Sequence, residues 1–194
     1  MGCEIELKAH LKNEEVDAVI EKLKSLDNSK YLGPIDKYDV YWSDDENGEP
    51  IFRTRLENGN DGARVLFTQK PMKSKDYCTE YNVENEFEAS AAEWDKIQLF
   101  CHSAGLKICR IKCKTGHHFS VICNGFELHC EILNIKYLGW FIETEICGED
   151  LDKMDIEGAE KALYYLLGMI NVSFEAVEPK GYNKMLKEIG RDKG

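Results

Sequence analysis

The amino-acid sequence predicts a single α+β domain in which helices cover an antiparallel sheet. Its 194 residues match the usual size of one compact domain, about 100 to 200 residues. Segments with helical periodicity are interspersed with runs in which apolar and polar residues alternate. The strand-like runs follow one another with only turns between them, which indicates antiparallel pairing. No proline-rich linker interrupts the chain, so we expect one domain over residues 1–194.

Four segments have the spacing of an amphipathic helix with one apolar face. Asn13 is the predicted N-cap of the first helix. Ser90 and Glu93 have capping-box spacing at the start of the second, and Gly105 ends it. The predicted helices cover residues 16–26, 90–105, 156–170 and 182–189.

Between the helices, alternation of apolar and polar residues predicts strands. Asn124-Gly125 is a strong signal for a two-residue hairpin turn, and residues 58–62 indicate a looser turn. The predicted strands cover residues 2–10, 36–43, 50–57, 63–71, 79–88, 107–115, 118–123, 126–133 and 139–147.

Composition and charge argue against several classes of protein. No run approaches the roughly 18 apolar residues of a membrane span, so we expect no membrane segment. Glu4, Glu6 and Lys8 lie where a secretory signal would be apolar, and we expect a cytoplasmic protein. The net charge of −11 disfavours binding to nucleic acid, because nucleic acid is a polyanion.

The eight cysteines predict neither a disulfide framework nor a zinc site. Disulfide-built scaffolds have a higher cysteine density, above roughly 8–10%. Cys109 and Cys113, with His117 and His118, come nearest to a metal-binding cluster. On a strand, however, the two cysteines lie on the apolar face, and we expect them to be buried as small apolar side chains. The cysteines are Cys3, Cys78, Cys101, Cys109, Cys113, Cys123, Cys130 and Cys147.

One face of most predicted strands is fully charged. In the first strand, Glu4 and Glu6 share a face with Lys8, whereas Ile5 and Leu7 lie on the other face. Solvent exposure explains a polar face on any single strand, since antiparallel sheets commonly have one solvated side. The charges here come in blocks of the same sign, however, and such neighbours repel unless something of opposite sign lies between them.

Two sets of charges therefore suggest two ligands. The cationic set consists of Lys8, Arg53, Arg55, Arg64, Lys70, Arg110, Lys112 and Lys114. The acidic set consists of Glu4, Glu6, Glu84, Glu86, Glu127, Glu131, Glu143 and Glu145. The cations suit a polyanion, because arginine binds phosphate with two parallel hydrogen bonds, and the carboxylates suit a hard divalent cation such as Mg²⁺. Rolling the sheet into a barrel with its charged face inside would bring both sets together.

Several motifs match one known family. The triplet Glu4-x-Glu6-x-Lys8 resembles the N-terminal signature of the CYTH superfamily, the triphosphate tunnel metalloenzymes. Further along the chain, Arg53-Thr54-Arg55 is similar to the R-x-R strand of the family, and Lys70-Pro71 is similar to the lysine strand after it. The remaining matches are Glu84-x-Glu86 with an acidic strand, Lys112-x-Lys114 with the K-x-R motif, and Leu138-Gly139-x-Phe141-x-Glu143-x-Glu145 with L-G-x-F-x-E-x-E.

The resemblance implies an eight-stranded antiparallel β-barrel that forms a tunnel, with helices packed outside. It implies that the basic residues Lys8, Arg53, Arg55, Arg64, Lys70, Arg110, Lys112 and Lys114 hold a triphosphate group. It also implies one or two Mg²⁺ or Mn²⁺ ions on Glu4, Glu6 and Glu143, with Glu84, Glu86, Glu131 and Glu145 as further ligands. Glu4, Glu6, Lys8 and Lys112 are the residues predicted to be catalytic.

Two positions depart from the family pattern. Lys114 stands where the family usually has arginine, so a bidentate phosphate contact would become a contact with a point charge. Glu131 is the best match for the acidic residue that normally precedes L-G-x-F, although the spacing differs.

The resemblance leaves two reactions open. Class IV adenylyl cyclases convert ATP to cyclic AMP and pyrophosphate, and they often end in a P-[KR]-x-Y segment like Pro179-Lys180-Gly181-Tyr182. Triphosphatases hydrolyse inorganic triphosphate, thiamine triphosphate or a nucleoside triphosphate in the same tunnel. We prefer the cyclase on the basis of the C-terminal segment. A third reading is a binding module without turnover. Family members are often homodimers, which predicts a second copy of the chain as a partner.

Overall fold

The computed structural model describes residues 2–76 and 79–193 and shows a closed barrel of antiparallel strands with helices on its outside. The strands are β1 (Gly2–Leu11), β2 (Ser29–Ser43), β3 (Phe52–Gly59), β4 (Gly62–Asp76), β5 (Thr79–Ser90), β6 (Lys107–Cys123), β7 (Phe126–Ile135) and β8 (Gly139–Gly148). Their order around the barrel is β1-β5-β4-β3-β2-β6-β7-β8, and β8 pairs with β1 to close it. The predicted α+β class and the eight-stranded barrel are confirmed.

The helices cover parts of the outer surface. They are α1 (Val16–Ser25), α2 (Trp94–Ser103), α3 (Ile156–Met169) and α4 (Tyr182–Glu188), with 3-10 turns at Ala91–Glu93, Leu151–Lys153 and Phe174–Ala176. The largest core joins Leu23 of α1 and Leu163 of α3 to the barrel side chain Ile142. A separate core joins Cys101 of α2 to Trp42 of β2. Across the described ranges, every helix is too short or too polar to span a bilayer.

Alternation along the strands separates the apolar outer face from the charged inner face. In β1, Ile5 and Leu7 are buried in the core beneath the helices, whereas Glu4, Glu6 and Lys8 line the cavity inside the barrel. Successive side chains of a strand point to opposite faces, so closing the sheet encloses the charged residues on its inner face. The predicted arrangement of a charged interior and an apolar exterior is thus observed.

The register of pairing decides which charges meet inside the barrel. Glu6 and Lys8 of β1 lie opposite Glu145 and Glu143 of β8, respectively. Residues directly opposite on antiparallel strands point to the same side and are close neighbours. The first and the last strands of the barrel therefore bring the two predicted E-x-E motifs together.

The predicted strands 107–115 and 118–123 form one continuous strand, so the predicted break between them is wrong. The two predicted strands leave Gly116 and His117 between them, and glycine in a strand interior weakens the strand. Here Gly116 allows close approach to the neighbouring strand β7. A Cβ atom at this position would lie 1.9 Å from the carbonyl oxygen of Ile132, so only glycine lets β6 continue at this distance.

The start of β2 and the N-cap of α1 differ from prediction. β2 begins at Ser29 instead of residue 36, since a bulge absorbs Gly33, whose φ of 118° favours glycine. Helix α1 begins at Val16 without the predicted Asn13 cap, and the backbone N–H of Lys12 donates instead to Glu15 Oε2 at 2.9 Å.

Two predicted local signals are confirmed. Asn124 and Gly125 form the turn between β6 and β7, both with positive φ values of 51° and 85°, as a type I′ turn requires. Ser90 accepts a hydrogen bond from the backbone N–H of Ala92 and so caps the turn that leads into α2.

Candidate active site in the barrel interior

The interior of the barrel is a charged cavity of about 1600 Å³. Every residue predicted for the phosphate set and the metal set lines it. These residues are Glu4, Glu6, Lys8, Arg53, Arg55, Arg64, Lys70, Glu84, Glu86, Arg110, Lys112, Lys114, Glu131, Glu143 and Glu145. Glu127 of the acidic set does not line it, and its side chain is exposed and accepts a hydrogen bond from Ser120 Oγ at 2.8 Å. Cys78 lies outside the described residues, and the described cysteines are free.

Three carboxylates form the acidic part of the cavity. Oxygen atoms of Glu4, Glu6 and Glu145 all lie within 4.8 Å of one another. Burial, together with the charges of Glu4 and Glu143, raises the pKa of Glu6 to about 8 against the opposing effect of Lys70. Burial and the neighbouring carboxylates Glu4 and Glu131 likewise hold the pKa of Glu145 well above its usual range. The cluster therefore disfavours uncompensated negative charge and favours a bound cation or a proton.

The other predicted acidic ligands are already paired with cations or hydrogen-bond donors. The ammonium of Lys114 lies 3.0 Å from Glu143, and that of Lys70 lies 2.6 Å from Glu84. Burial favours the neutral form of Glu143, but Lys114 and other cations outweigh burial and lower its pKa. Among the described residues, the carboxylates grouped within 4.8 Å of one another are Glu4, Glu6 and Glu145, and the predicted ligand Glu143 lies beside Lys114 instead.

Lys70 links the acidic cluster to β4. Its ammonium forms an ion pair with Glu4 as well as with Glu84. Burial favours the neutral forms of both Lys70 and Glu4, but their opposite charges outweigh it, so the pKa of Lys70 is raised and that of Glu4 is lowered. The amide of Asn82 also donates to Glu4 Oε1 at 2.7 Å. Glu4 is thus held in one orientation at the edge of the cluster.

The cationic part of the cavity is organised around Asp39, a fully buried residue of β2. The guanidinium of Arg55 donates to both carboxylate oxygens of Asp39, at 2.6 and 3.1 Å. Lys112 Nζ lies 3.3 Å from the same carboxylate, and a nitrogen of Arg53 lies 4.0 Å from it. Burial would raise the pKa of Asp39, but these cations outweigh burial and hold it well below its usual range. One carboxylate therefore holds three cations on adjacent strands in fixed positions.

The remaining predicted cations lie on other parts of the cavity wall. Lys8 Nζ is 3.9 Å from Glu6, and Arg110 donates to the loop residue Glu49 at 2.9 Å. Arg64 is half exposed and pairs with Glu57 at 2.7 Å. The structure thus brings the phosphate set to one cavity and places Arg64 at its more solvated edge.

Sequence analysis missed four residues that line the cavity or support it. Lys37, Asp39 and Tyr41 alternate along β2 and face inward, with Lys37 Nζ 2.5 Å from Glu131 and Lys112 Nζ donating to Tyr41 Oη at 2.7 Å. The period of two that identified the other strands is present here as well. Tyr182 of α4 reaches the cavity from outside the barrel, and no strand pattern could have shown this.

Comparisons with known proteins give structural relatives only. No protein-family model and no curated protein matches the sequence of the chain. The PH1819 protein from Pyrococcus horikoshii OT3 has a TM-score of 0.74 at 22% identity over 96% of this chain and 99% of its own. A Vibrio parahaemolyticus protein assigned as an adenylate cyclase has a TM-score of 0.73 at 16% identity, over 95% and 97%. HpAC1 from Hippeastrum, assigned as an adenylyl cyclase with a dominant triphosphatase activity, has a TM-score of 0.61 at 12% identity, over 98% and 97%.

These matches cover nearly the whole length of both chains, so the likeness concerns the complete fold. They show a shared fold, a barrel of this architecture with helices outside, as the resemblance implied.

The Asp39 cluster predicts a specific effect on acid stability. The pKa of Asp39 is lower in the folded protein than its ordinary value of about 3.9. The ionised Asp39 therefore contributes fully to stability when the pH is above its ordinary pKa. This contribution is lost as the pH falls toward the pKa that Asp39 has in the folded protein. Asp39→Asn should destabilise the protein by about 3–5 kcal/mol at pH 7, because it leaves buried cations uncompensated, and should flatten the dependence on pH below about 4.

Urea unfolding followed by circular dichroism between pH 7 and pH 2 measures both effects. Asp36→Asn is the matched control, since Asp36 is exposed and lies on the same strand; it should stay within about 0.5 kcal/mol of the parent protein. If the free energy of unfolding of Asp39→Asn fell as steeply with decreasing pH as that of the parent protein, Asp39 would not be the carboxylate that holds the cations.

Proposed function

We propose that the protein is a divalent-metal-dependent enzyme that acts on a triphosphate group bound inside the barrel. The observation that carries this proposal is the presence of two complementary sites in one cavity. Glu4, Glu6 and Glu145 form a cluster of carboxylates within 4.8 Å, and arginine and lysine side chains from several strands line the same cavity. Phosphoryl transfer depends mainly on positioning and on neutralising negative charge, which this combination supplies.

The residues present fit Mg²⁺ or Mn²⁺. Both ions prefer oxygen ligands, and Glu4, Glu6 and Glu145 would offer only carboxylate oxygens. Burial and neighbouring carboxylates raise the pKa of both Glu6 and Glu145, so a cation of opposite charge would stabilise their ionised forms. An ion bound there would neutralise charge on the phosphate oxygens.

The cations would bind the phosphates by exchanging partners. Arg53 donates to Thr68 at 2.7 Å, and its Nε makes no hydrogen bond to any of the described residues. Lys112 and Arg55 face the cavity next to it, held by Asp39. Guanidinium groups bind phosphate oxygens bidentately, so Arg53 and Arg55 would fix the orientation of the chain of phosphates. Lys8 and Lys114 would add point charges.

We favour the reaction of a class IV adenylyl cyclase. In it the ribose 3′-oxygen of ATP attacks the α-phosphorus, a new P–O bond closes the cyclic phosphate, the bond to the β-phosphate breaks, and the hydroxyl proton is lost. Pyrophosphate leaves with the electron pair. The segment Pro179–Tyr182, which resembles the end of such cyclases, lines the cavity. The cavity of about 1600 Å³ is larger than most small-molecule sites, which are about 300–1,000 Å³, and so has room for a nucleoside.

A triphosphatase is the second candidate. In this reaction water attacks the terminal phosphorus, the bond to the bridging oxygen breaks, and orthophosphate is released. The specific support is a structural relative that was assigned as a cyclase and has a dominant triphosphatase activity. The same residues serve both reactions, because the difference lies in which phosphorus meets the nucleophile. A binding module is less favoured, since binding alone needs no carboxylate cluster beside the cations.

Product analysis by ³¹P NMR distinguishes these functions. Protein is incubated with ATP and, separately, with inorganic triphosphate, each with Mg²⁺ and with Mn²⁺. We expect cyclic AMP and pyrophosphate from ATP. Orthophosphate released from inorganic triphosphate, with ATP left unchanged, would instead establish the triphosphatase. Binding of either compound without turnover would overturn both enzymatic proposals.

The metal assignment predicts the effect of neutralising one ligand. Glu6→Gln should lower metal-dependent turnover by about a hundredfold or more, because the ion provides several kcal/mol of charge stabilisation. Glu127→Gln is the matched control, since Glu127 is exposed and lies outside the cavity lining. The measurement is the turnover rate against metal concentration, with circular dichroism to verify folding. A folded Glu6→Gln variant with full activity would contradict the assignment.

We propose that the homodimer forms through the exposed part of the outer face of β3, β4 and β5. Where the side chains of these strands are described, the exposed and half-buried residues opposite to the cavity lining are uncharged, although charged residues make up 31% of the chain. Phe67 and Phe87 stack there with ring centroids 4.4 Å apart, and Phe87 is 62% exposed. This part of the face consists of Leu56, Asn58, Phe67, Gln69, Val83, Asn85, Phe87 and Ala89.

A second copy of the chain is the occupant that the charges favour. Two chains of net charge −11 repel each other, and this face lets them meet without bringing carboxylates together. Light scattering coupled to size-exclusion chromatography should therefore give twice 22.3 kDa. Phe87→Asp should give the monomer mass, whereas Tyr165→Asp, at an exposed aromatic residue of α3, should remain dimeric. A monomeric parent protein, or a dimeric Phe87→Asp variant, would overturn this proposal.

A further inference from the structure

A single aromatic ring lies among three of the predicted phosphate-binding lysines. Tyr182 is the first residue of α4, and its side chain is buried, with 6% exposure. The ammonium nitrogens of Lys114, Lys112 and Lys8 lie 4.8, 5.5 and 5.6 Å from the centre of its ring, respectively. These lysines come from two different strands, β6 and β1, so the ring is the feature that they share.

The ring is held firmly from behind. Tyr182 packs edge-on against Phe141 with ring centroids 5.0 Å apart, within a core that also contains Met185 of α4. The chain just before it is fixed to the barrel, since the backbone N–H of Glu178 donates to the carbonyl oxygen of Lys8 at 2.9 Å. The C-terminal segment is therefore a fixed part of the cavity wall.

The ring adds a further attraction for lysines that barrel carboxylates already hold. Ammonium groups that converge on one small volume repel one another, and a low dielectric strengthens the repulsion. The face of an aromatic ring attracts cations, by about 0.5–1 kcal/mol at exposed sites and about 2 kcal/mol when water is excluded. The ring thus stabilises a convergent arrangement of the lysines before any anion is bound. Preorganised charges of this kind bind an anion without the cost of reorganisation.

The hydroxyl of Tyr182 is also available to a ligand. It is buried and makes no well-aligned hydrogen bond to the described residues, although the carboxylate of Glu143 lies next to it. Tyr182 lines the cavity, and its hydroxyl can therefore donate a hydrogen bond to an oxygen of a bound molecule.

We propose that Tyr182 is a phosphate-binding residue contributed by the C-terminal segment. Its ring gathers the ammonium groups of Lys8, Lys112 and Lys114 at one point, and its hydroxyl donates to a phosphoryl oxygen of the triphosphate. This inference rests on the proposed function, because it assigns the residue to the same triphosphate site. It adds that the site extends beyond the barrel strands to α4.

Two substitutions separate the roles of the ring and the hydroxyl. Tyr182→Phe keeps the ring and its packing, so inorganic triphosphate should bind about fivefold more weakly, as expected for one lost hydrogen bond. Tyr182→Leu keeps an apolar side chain but removes the ring, so binding should weaken by about thirtyfold or more. The measurement is isothermal titration calorimetry with inorganic triphosphate in the presence of Mg²⁺.

A matched control is provided by a second tyrosine that contacts a lysine. Tyr31 lies 5.5 Å from Lys24 Nζ on the outside of the barrel, so Tyr31→Leu should leave the affinity for triphosphate unchanged. Binding of Mn²⁺ alone, measured by electron paramagnetic resonance, provides the second readout. It should be retained in Tyr182→Leu, because the carboxylate cluster Glu4, Glu6 and Glu145 does not involve Tyr182. A purely structural defect would weaken Mn²⁺ and triphosphate binding together.

The outcomes are distinguishable from failure of the proposed function. If the parent protein did not bind triphosphate at all, the proposed function would fail, and the role of Tyr182 would fail with it. If the parent protein bound triphosphate and Tyr182→Leu bound both triphosphate and Mn²⁺ equally well, only the role of Tyr182 would be overturned. If Tyr182→Leu did not fold, Tyr182→Phe would decide the matter, and unchanged affinity in that variant would exclude the hydroxyl contact.

Discussion

The pairing of charges inside a closed barrel is the constraint on which the rest of this structure depends. Moving an ionised side chain out of water costs several kcal/mol unless an opposite charge compensates it. Alternation along the strands places charged residues on one face, and closure of the barrel removes that face from bulk solvent. The fold is therefore compatible with this sequence only because nearby cations and carboxylates offset each other. Asp39, which is fully buried among Arg53, Arg55 and Lys112, is the clearest case.

The same pairing shapes how the proposed ligands would enter. Lys70 and Lys114 are at present held by glutamates. If a triphosphate bound these lysines without a metal, the glutamates would lose their cationic partners. If a divalent cation bound the glutamates without a triphosphate, the lysines would lose their anionic partners. When both ligands bind together, each buried charge finds a new partner of opposite sign. In the proposed function, the interior therefore favours the metal and the triphosphate as a combination over either one separately.

The period of two along the strands predicted most of the charged residues that face the interior, although it also grouped the exposed Glu127 with them. It also predicted that the E-x-E motifs of the first and last strands belong to one site, although only the register could show that Glu145 is grouped with Glu4 and Glu6. The break predicted in β6 was wrong because alternation along one segment cannot reveal a neighbouring strand at close approach. The role of Asp39 could not be predicted from its own strand, because it depends on Arg55 and Lys112 from other strands. The position of Tyr182 in the cavity wall could not be predicted, because it depends on the packing of α4 against the barrel.

The pairing of β1 with β8 has a consequence for how the protein acquires its site. Glu4, Glu6 and Lys8 lie in the first strand, and their partners Glu143 and Glu145 lie in the last. During synthesis the first strand thus emerges long before its neighbour exists, and it must remain unpaired on that side until β8 has left the ribosome. Contacts so distant in sequence are expected to slow folding, and exposed strand edges are prone to aggregation. The charges of β1 lower that risk, because same-sign glutamates on separate nascent chains repel one another.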